Sequence, residues 1–324
     1  MADSTSAPSK PGGLSRVFVW DANAYRGLAH EAGDRPAAEI SQELRQRELG
    51  KAFCALADPT VALELLARAG GEGRGKRESA YGLQVLSGHC AGPGEVDSVL
   101  RWVPDGDATL CHFVFAEAHP EHQTILDGLW ILIKDIGPDG YDRQKYEPIL
   151  EMVEMRESQF VDETWQHVVQ KMNPGAESWA PLEEDGEARG RVLRRLRTAE
   201  TRRVMARALL DKACRLTGNK APIDGLEEVV LSLAGTFATA IQFYINNLIK
   251  IAETGCDFTK KQRGNNLWDM NIAMNVGEHS HVGGAPLTLV TDDNGIHKAA
   301  SETGNSGRVL RLMDYLDLIE WRFE

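Results

Sequence analysis

The sequence RVFVWDANAY, residues 16–25, joins a short apolar run to an aspartate. Val17 and Val19 are β-branched, and the run carries no turn residue, which predicts a buried strand over residues 16–20. Asp21 then stands at the carboxyl end of that strand. In an open parallel sheet the ligand site lies beyond this end of the strands. We therefore expect Asp21 to face a functional site.

A second apolar run near the other end of the chain also ends in aspartates. PLTLVTDD, residues 286–293, predicts a strand over residues 287–290 that is followed by Asp292 and Asp293. If the two strands are neighbours in a parallel sheet, Asp21 and Asp293 converge at the same edge.

Two helices are expected to add further carboxylates to this edge. Asp58 and Pro59 start a helix that continues to Gly70 and carries Glu64 one to two turns in. NNLWDMNIAMNVGE, residues 265–278, predicts a helix with Asp269 in its first turn. Residues 37–56, between the first strand and these helices, have helical spacing of apolar positions.

Four carboxylates gathered at one place cannot all stay ionised unless a cation compensates them. Carboxylate oxygens are hard ligands that suit Mg²⁺ or Mn²⁺. The sequence therefore predicts a divalent-metal site with the ligands Asp21, Glu64, Asp269 and Asp293, and with Asp292 as a further candidate.

Four short motifs, taken in chain order, resemble those of the PIN-domain nucleases. VFVWDAN resembles the opening strand, VALELLA the second motif, WDMNIA the third and LVTDD the fourth. The matching positions are Asp21, Asn23, Glu64, Asp269, Thr291 and Asp293. Asp292 stands where the family varies, so the fourth acid is Asp292, Asp293 or both, and the T-x-D spacing favours Asp293.

This resemblance implies a PIN-like three-layer α/β/α fold with a central parallel sheet. It also implies hydrolysis of phosphodiester bonds, of RNA more often than DNA, leaving 5′-phosphate and 3′-hydroxyl ends. The acids would be the catalytic and metal-binding residues. Asn23 and Thr291 would orient metal-bound water or a carboxylate.

The motifs cover less than half of the chain, which gives a prediction of domain organisation. Residues 1–15 form a flexible arm, and residues 16–118 with 259–324 form the PIN-like domain. Residues 119–258 have a predominantly helical pattern and are interpreted as an insertion.

Inside this insertion, residues 189–215 hold ten basic and two acidic residues, a net charge of +8 in a chain of −12. Such asymmetry favours a nucleic-acid partner at this segment over general coating of a polyanion. We expect Arg194, Arg195, Arg202 and Arg203 to contact the substrate backbone. The alternative is that these arginines pair with acidic surface of the same chain or of a second subunit.

Cysteine usage and the apolar segments indicate the cellular compartment of the protein. The five cysteines form no CxxC pair, which fits small buried side chains in a reducing cytosol. The first residues lack the apolar stretch of a signal peptide. Residues 229–245 carry no charge but fall short of the ~20 strongly apolar residues of a membrane span. We expect a cytoplasmic protein without a membrane partner.

The function predicted from these patterns is that of a metal-dependent endoribonuclease acting as a toxin, a defence effector or a processing enzyme. Toxins of this family usually act beside an inhibitory protein partner. Assembly into a homo-oligomer is a further alternative that the sequence leaves open. One alternative is a PIN-like binding or regulatory module without catalysis. Another is a phosphatase of the haloacid dehalogenase type, which would need an aspartate where Asn23 stands.

Overall fold

The computed structural model describes residues 14–70, 74–91, 101–116, 122–134, 136, 143–164, 180–222, 224–254 and 265–322. Helices dominate these residues and surround a small sheet of five strands. The strands are β1 (Arg16–Trp20), β2 (Phe53–Leu56), β3 (His281–Val282), β4 (Ala285–Val290) and β5 (Val309–Leu310). The predicted N-terminal arm lies almost wholly outside the described residues.

The central strands are parallel and end at one level. β1 pairs with β2 on one side and with β4 on the other, and β5 runs parallel to β4. Only the short β3 is antiparallel, beside the start of β4. Trp20 is opposite Val290, so the residues that follow β1 and β4 meet at the same sheet edge. The prediction that the strands before Asp21 and Asp293 are parallel neighbours is confirmed.

Fifteen helices are assigned within the described residues. The first seven are α1 (Ala22–Glu31), α2 (Ala37–Gly50), α3 (Pro59–Ala69), α4 (Arg74–His89), α5 (Gly106–Phe115), α6 (His122–Lys134) and α7 (Arg143–Thr164). The next five are α8 (Ala180–Glu184), α9 (Gly186–Leu196), α10 (Ala199–Thr217), α11 (Leu226–Thr236) and α12 (Ala238–Glu253). The last three are α13 (Asn265–Ala273), α14 (Asn294–Glu302) and α15 (Leu312–Leu318).

Two local predictions need correction. The helical pattern of residues 37–56 holds only to Gly50, because the last four residues form β2 and pair with β1. Helix α13 begins at Asn265, so Asp269 lies in its second turn rather than its first. In the first case pairing within the sheet overrides local periodicity.

The described side chains pack into two hydrophobic clusters. The first surrounds the sheet and includes Trp20 and Tyr315, whose rings meet edge to face at 4.9 Å. The second joins α9 to α12 and includes Phe237. Leu129 of α6 and Val153 of α7 belong to the first cluster. The helical region at 119–258 therefore divides between both clusters.

The uncharged segment at 229–245 is two helices rather than one. α11 and α12 meet at Phe237 with a bend of 80°. In the part of the chain described, no single helix has the length and apolar character to cross a membrane, although this bent pair together meets both criteria. Cys54, Cys90 and Cys111 are buried free thiols, as expected. Cys256 lies outside the described residues.

Candidate functional site

Asp21 is buried at the junction of β1 and α1. Only 2 % of the residue is exposed. One carboxylate oxygen accepts a hydrogen bond from the backbone N–H of Ala24 at 2.6 Å and caps α1. The other oxygen accepts from the hydroxyl of Thr291, which follows the neighbouring strand β4. The side chain is thus fixed by a local helix cap and by a contact across the sheet.

Thr291 joins Asp21 to Asp293. Its hydroxyl donates to Asp21 and accepts the backbone N–H of Asp293 at 3.0 Å. The Asp293 carboxylate in turn caps α14, accepting from the N–H of Ile296 at 2.8 Å. The ring of His297 contacts the carbonyl of Thr291 at 2.8 Å. These bonds hold the two predicted acids at the carboxyl ends of adjacent parallel strands.

Glu64 lies on the buried side of α3 and forms ion pairs with two arginines. Its carboxylate is 2.9 Å from Arg68 and 3.6 Å from Arg26. Arg26 also donates to the side-chain oxygen of Asn23. Burial is the main cause that lowers the pKa of Arg26, and Arg68 adds to this effect. The sequence predicted that Asn23 orients metal-bound water or a carboxylate, whereas its side-chain oxygen here accepts from an arginine of the same helix.

Mutual repulsion connects all four predicted acids. The pKa of Asp21 is raised to about 7, by burial first and then by the charges of Glu64 and Asp293, against the opposing hydrogen bonds from Thr291 and Ala24. The pKa of Asp269 is raised well above its ordinary value, by desolvation first and then by Glu64, Asp293 and Asp21. Arg68 opposes that shift. The four carboxylates share one electrostatic environment.

Carboxylate oxygens are the donor type that a hard divalent cation prefers. A cation placed among these carboxylates would relieve the repulsion that acts on Asp21 and Asp269. Among the residues described, no group of three or more His, Cys, Asp or Glu side chains is arranged to hold a metal ion. The acids therefore interact electrostatically without forming a metal-binding cluster, and Arg26 and Arg68 supply positive charge beside Glu64.

Asp292 turns toward a different element. Its carboxylate accepts a hydrogen bond from the backbone N–H of Leu312 at 3.3 Å and is 4.0 Å from Arg311. It is not among the main causes of the raised pKa of Asp21 or of Asp269. Of the two adjacent aspartates, Asp293 is the one that shares the environment of the other acids.

A second pair of acids, missed in the sequence, lies beside β2. Asp58 is 1 % exposed, caps α3 and accepts from Asn275 at 3.0 Å. Its pKa is raised to about 7, by burial first and then by the charge of Asp105. Asp58 is not among the main causes that raise the pKa of Asp21 and Asp269. Asp58 is therefore a control for Asp21, because both are buried aspartates that cap a helix and only Asp21 belongs to the candidate site.

The four arginines of the basic segment are all exposed, on α9 and α10. Arg203 pairs with Glu200 of its own helix at 3.8 Å. Arg202 donates two hydrogen bonds to the amide oxygen of Gln242 on α12, at 3.2 and 2.8 Å. Other basic residues of the segment have acidic partners, namely Arg191, Arg197, Arg207 and Lys212. The segment is partly neutralised by the same chain.

Arg26 and Arg68 were not identified from the sequence. Arg68 follows Glu64 by four residues on a helix, a spacing that predicts an ion pair. Arg26 follows Asp21 by five residues, and only the packing of α1 beside α3 brings it to Glu64.

No protein-family model, curated protein or solved structure matches this chain. Its function is therefore inferred from the site alone.

Proposed function

We propose that the protein is a divalent-metal-dependent nuclease of PIN-like architecture, with RNA as the substrate class. The observation that carries this proposal is the shared environment of Asp21, Glu64, Asp269 and Asp293, in which the acids raise the pKa of Asp21 and Asp269. Their location at the carboxyl edge of a parallel sheet supports a ligand site. The preference for RNA rests on the resemblance of the motifs.

Each acid has a distinct structural support for holding a metal ion. Asp21 and Asp293 come from strand ends joined by Thr291, while Glu64 and Asp269 come from helices. Bound Mg²⁺ or Mn²⁺ would lower the pKa of a water molecule and offset charge on the scissile phosphate. Thr291 keeps both strand-end carboxylates oriented. Asn23 holds Arg26 through its side-chain oxygen.

Arg26 and Arg68 have two roles in this proposal. They partly compensate the acids, so the fold tolerates the site without a bound cation. A guanidinium group beside the acids can also receive a phosphate oxygen, because its planar donors match phosphate geometry. Cation binding then competes with the Arg26–Glu64 pair, which is longer than the Arg68–Glu64 pair.

The test compares two buried aspartates that differ in their environment. Asp21→Asn should reduce RNA cleavage in Mn²⁺ to the level of wild-type protein in EDTA, since an amide is a weaker ligand for a hard cation. Asp58→Asn should retain cleavage, because Asp58 is equally buried and caps a helix but lies outside the acid set. The readout is cleavage of a labelled single-stranded RNA by highly purified protein.

Equal cleavage by the Asp21→Asn variant and the wild-type protein would remove Asp21 from the mechanism. Mn²⁺ binding by calorimetry separates catalysis from a non-catalytic module. Binding of RNA without metal-dependent cleavage by the wild-type protein would support the PIN-like binding module instead.

A further inference from the structure

An open cavity of about 410 Å³ lies between α9, α10 and α12. Its volume falls within the range of ~300–1,000 Å³ for small-molecule sites. The apolar lining includes Leu196, Ile245 and Ile249. The polar lining includes Arg197, Thr198 and Arg202. The cavity therefore combines an aliphatic wall with positively charged groups.

Arg202 keeps much of its charge available to a ligand. Its donors contact the amide oxygen of Gln242, which is neutral. Among the residues described, no carboxylate forms an ion pair with Arg202, whereas Arg197 is 2.8 Å from Glu253. The bond to Gln242 orients the guanidinium group at the cavity without neutralising it. An anion is the complementary partner.

The start of α10 adds to the same potential. Thr198 occupies the N-cap position, but its hydroxyl donates to the carbonyl of Arg195 instead of capping the helix. Thr198 and Ala199 both line the cavity, so the positive end of α10 lies at its wall. It reinforces the preference for an anion set by Arg202.

The apolar part of the lining lies on α12. Ile245 and Ile249 are one turn apart on this helix and both line the cavity, Ile245 buried and Ile249 half-buried. An aliphatic surface of this kind can pack against the face of a planar ring. A phosphate beside Arg202 and a base against this surface match both halves of the lining.

We infer that this cavity binds a nucleoside phosphate, with the phosphate on Arg202 and the base against Ile245 and Ile249. The ligand is either a free mononucleotide or the phosphorylated end of a nucleic-acid strand. This site is built by helices remote in sequence from the four acids. The inference does not require metal-dependent cleavage, so either proposal can fail without the other.

The experiment measures binding to the full-length protein by calorimetry in EDTA, which excludes cleavage. Adenosine 5′-monophosphate should bind more tightly than adenosine, inorganic phosphate or octanoate. Arg202→Gln should weaken this binding at least about tenfold, because it removes a charge-assisted hydrogen bond. Arg207→Gln is the matched control, since Arg207 is on the same helix, pairs with Asp211 and does not line the cavity.

Ile249→Ala should weaken binding of the nucleotide but not of inorganic phosphate, because it reduces only the apolar part of the lining.

A short RNA with and without a 5′-phosphate identifies the source of the ligand. Binding of the free nucleotide assigns a mononucleotide. Binding of the phosphorylated RNA alone, sensitive to Arg202→Gln, assigns a strand end. Binding of neither, equal binding by Arg202→Gln and wild type, or a preference for octanoate would overturn the inference.

Discussion

Asp58 and Asp21 are buried aspartates that each cap a helix, and burial raises the pKa of both to about 7. A carboxyl with a raised pKa in the folded state favours folding only while it is protonated. The free energy of unfolding therefore decreases as the pH rises from about 4 to about 7 and is level above that range. For one such group the decrease is of the order of 4 kcal/mol at most.

Asp58→Asn should reduce this pH dependence. Asparagine is neutral throughout and is as good a helix N-cap as aspartate. We expect the variant to lose less stability than the wild type between pH 5 and pH 8, measured by urea unfolding. The remaining decrease is expected from Asp21 and Asp269. Parallel curves for variant and wild type would show that Asp58 does not ionise in this range.

Thr291 supports two acids with one hydroxyl, so its removal should affect both stability and metal binding. Thr291→Val keeps the shape but leaves Asp21 without one donor. We expect a loss of about 1–3 kcal/mol in the free energy of unfolding. We also expect Mn²⁺ affinity to fall roughly 10- to 100-fold.

The control for Thr291→Val is Thr288→Val, which alters another buried threonine of β4. It should leave Mn²⁺ affinity unchanged, since Thr288 has no contact with the acids among the hydrogen bonds of the described residues. Equal Mn²⁺ affinity in both variants would mean that the Thr291 hydroxyl does not position the carboxylates.

At the scale of elements, Gly106 sets the distance between α5 and α13. A Cβ at this position would lie 2.8 Å from the backbone oxygen of Asn271, two residues beyond Asp269. Gly106→Ala must therefore push the two helices apart. We expect a loss of about 1–3 kcal/mol in urea unfolding, together with weaker Mn²⁺ binding as Asp269 moves.

Gly235 provides the matched substitution. It lies within α11, and an added Cβ meets nothing within 4 Å. Gly235→Ala should stabilise the protein by roughly 0.5–1 kcal/mol, because alanine has the higher helix propensity. Similar effects of the two substitutions would argue that close helix contact at Gly106 is unimportant.

The elements that carry Asp21, Glu64 and Asp293 could be predicted because their signals are local. A β-branched run marked β1, Pro59 marked the start of α3, and an apolar run marked β4. β2 was missed because four residues are too few for a clear period, and its pairing with β1 is a non-local interaction.

The charge balance of the site could be predicted only in part. The four acids share an environment, as their sequence positions suggested. The pair between Arg26 and Glu64 depends on how α1 lies beside α3. Likewise, the partners of the basic segment come from packing, as the contact between Arg202 and Gln242 shows. Periodicity contains no information on such contacts.

At the scale of the whole molecule, a basic segment of +8 belongs to a chain of −12. Replacing Arg194, Arg195, Arg202 and Arg203 by glutamine should weaken RNA binding. The plot of log affinity against log salt should become shallower by about 0.7 for each phosphate contact that is lost on a single strand. Stability should not change, since all four side chains are exposed.

Lysine at the same four positions is the control, because it retains the charge and should retain the salt slope. Filter binding across a salt series and urea unfolding provide the two measurements. Unchanged RNA affinity combined with lower stability would mean that these arginines serve the fold, through contacts such as Arg202 with Gln242.

Helix α12 lines the cavity and also contacts the helix that Asp293 caps. On one face, Gln242 holds Arg202 at the cavity and donates to Asn246, which donates to Glu302 of α14. On another face, the ring of Phe243 lies beside Gly295, the second residue of the helix that Asp293 caps. Thermodynamic reciprocity then applies. Whatever factor an occupant of the cavity imposes on cation affinity, the cation imposes the same factor on that occupant.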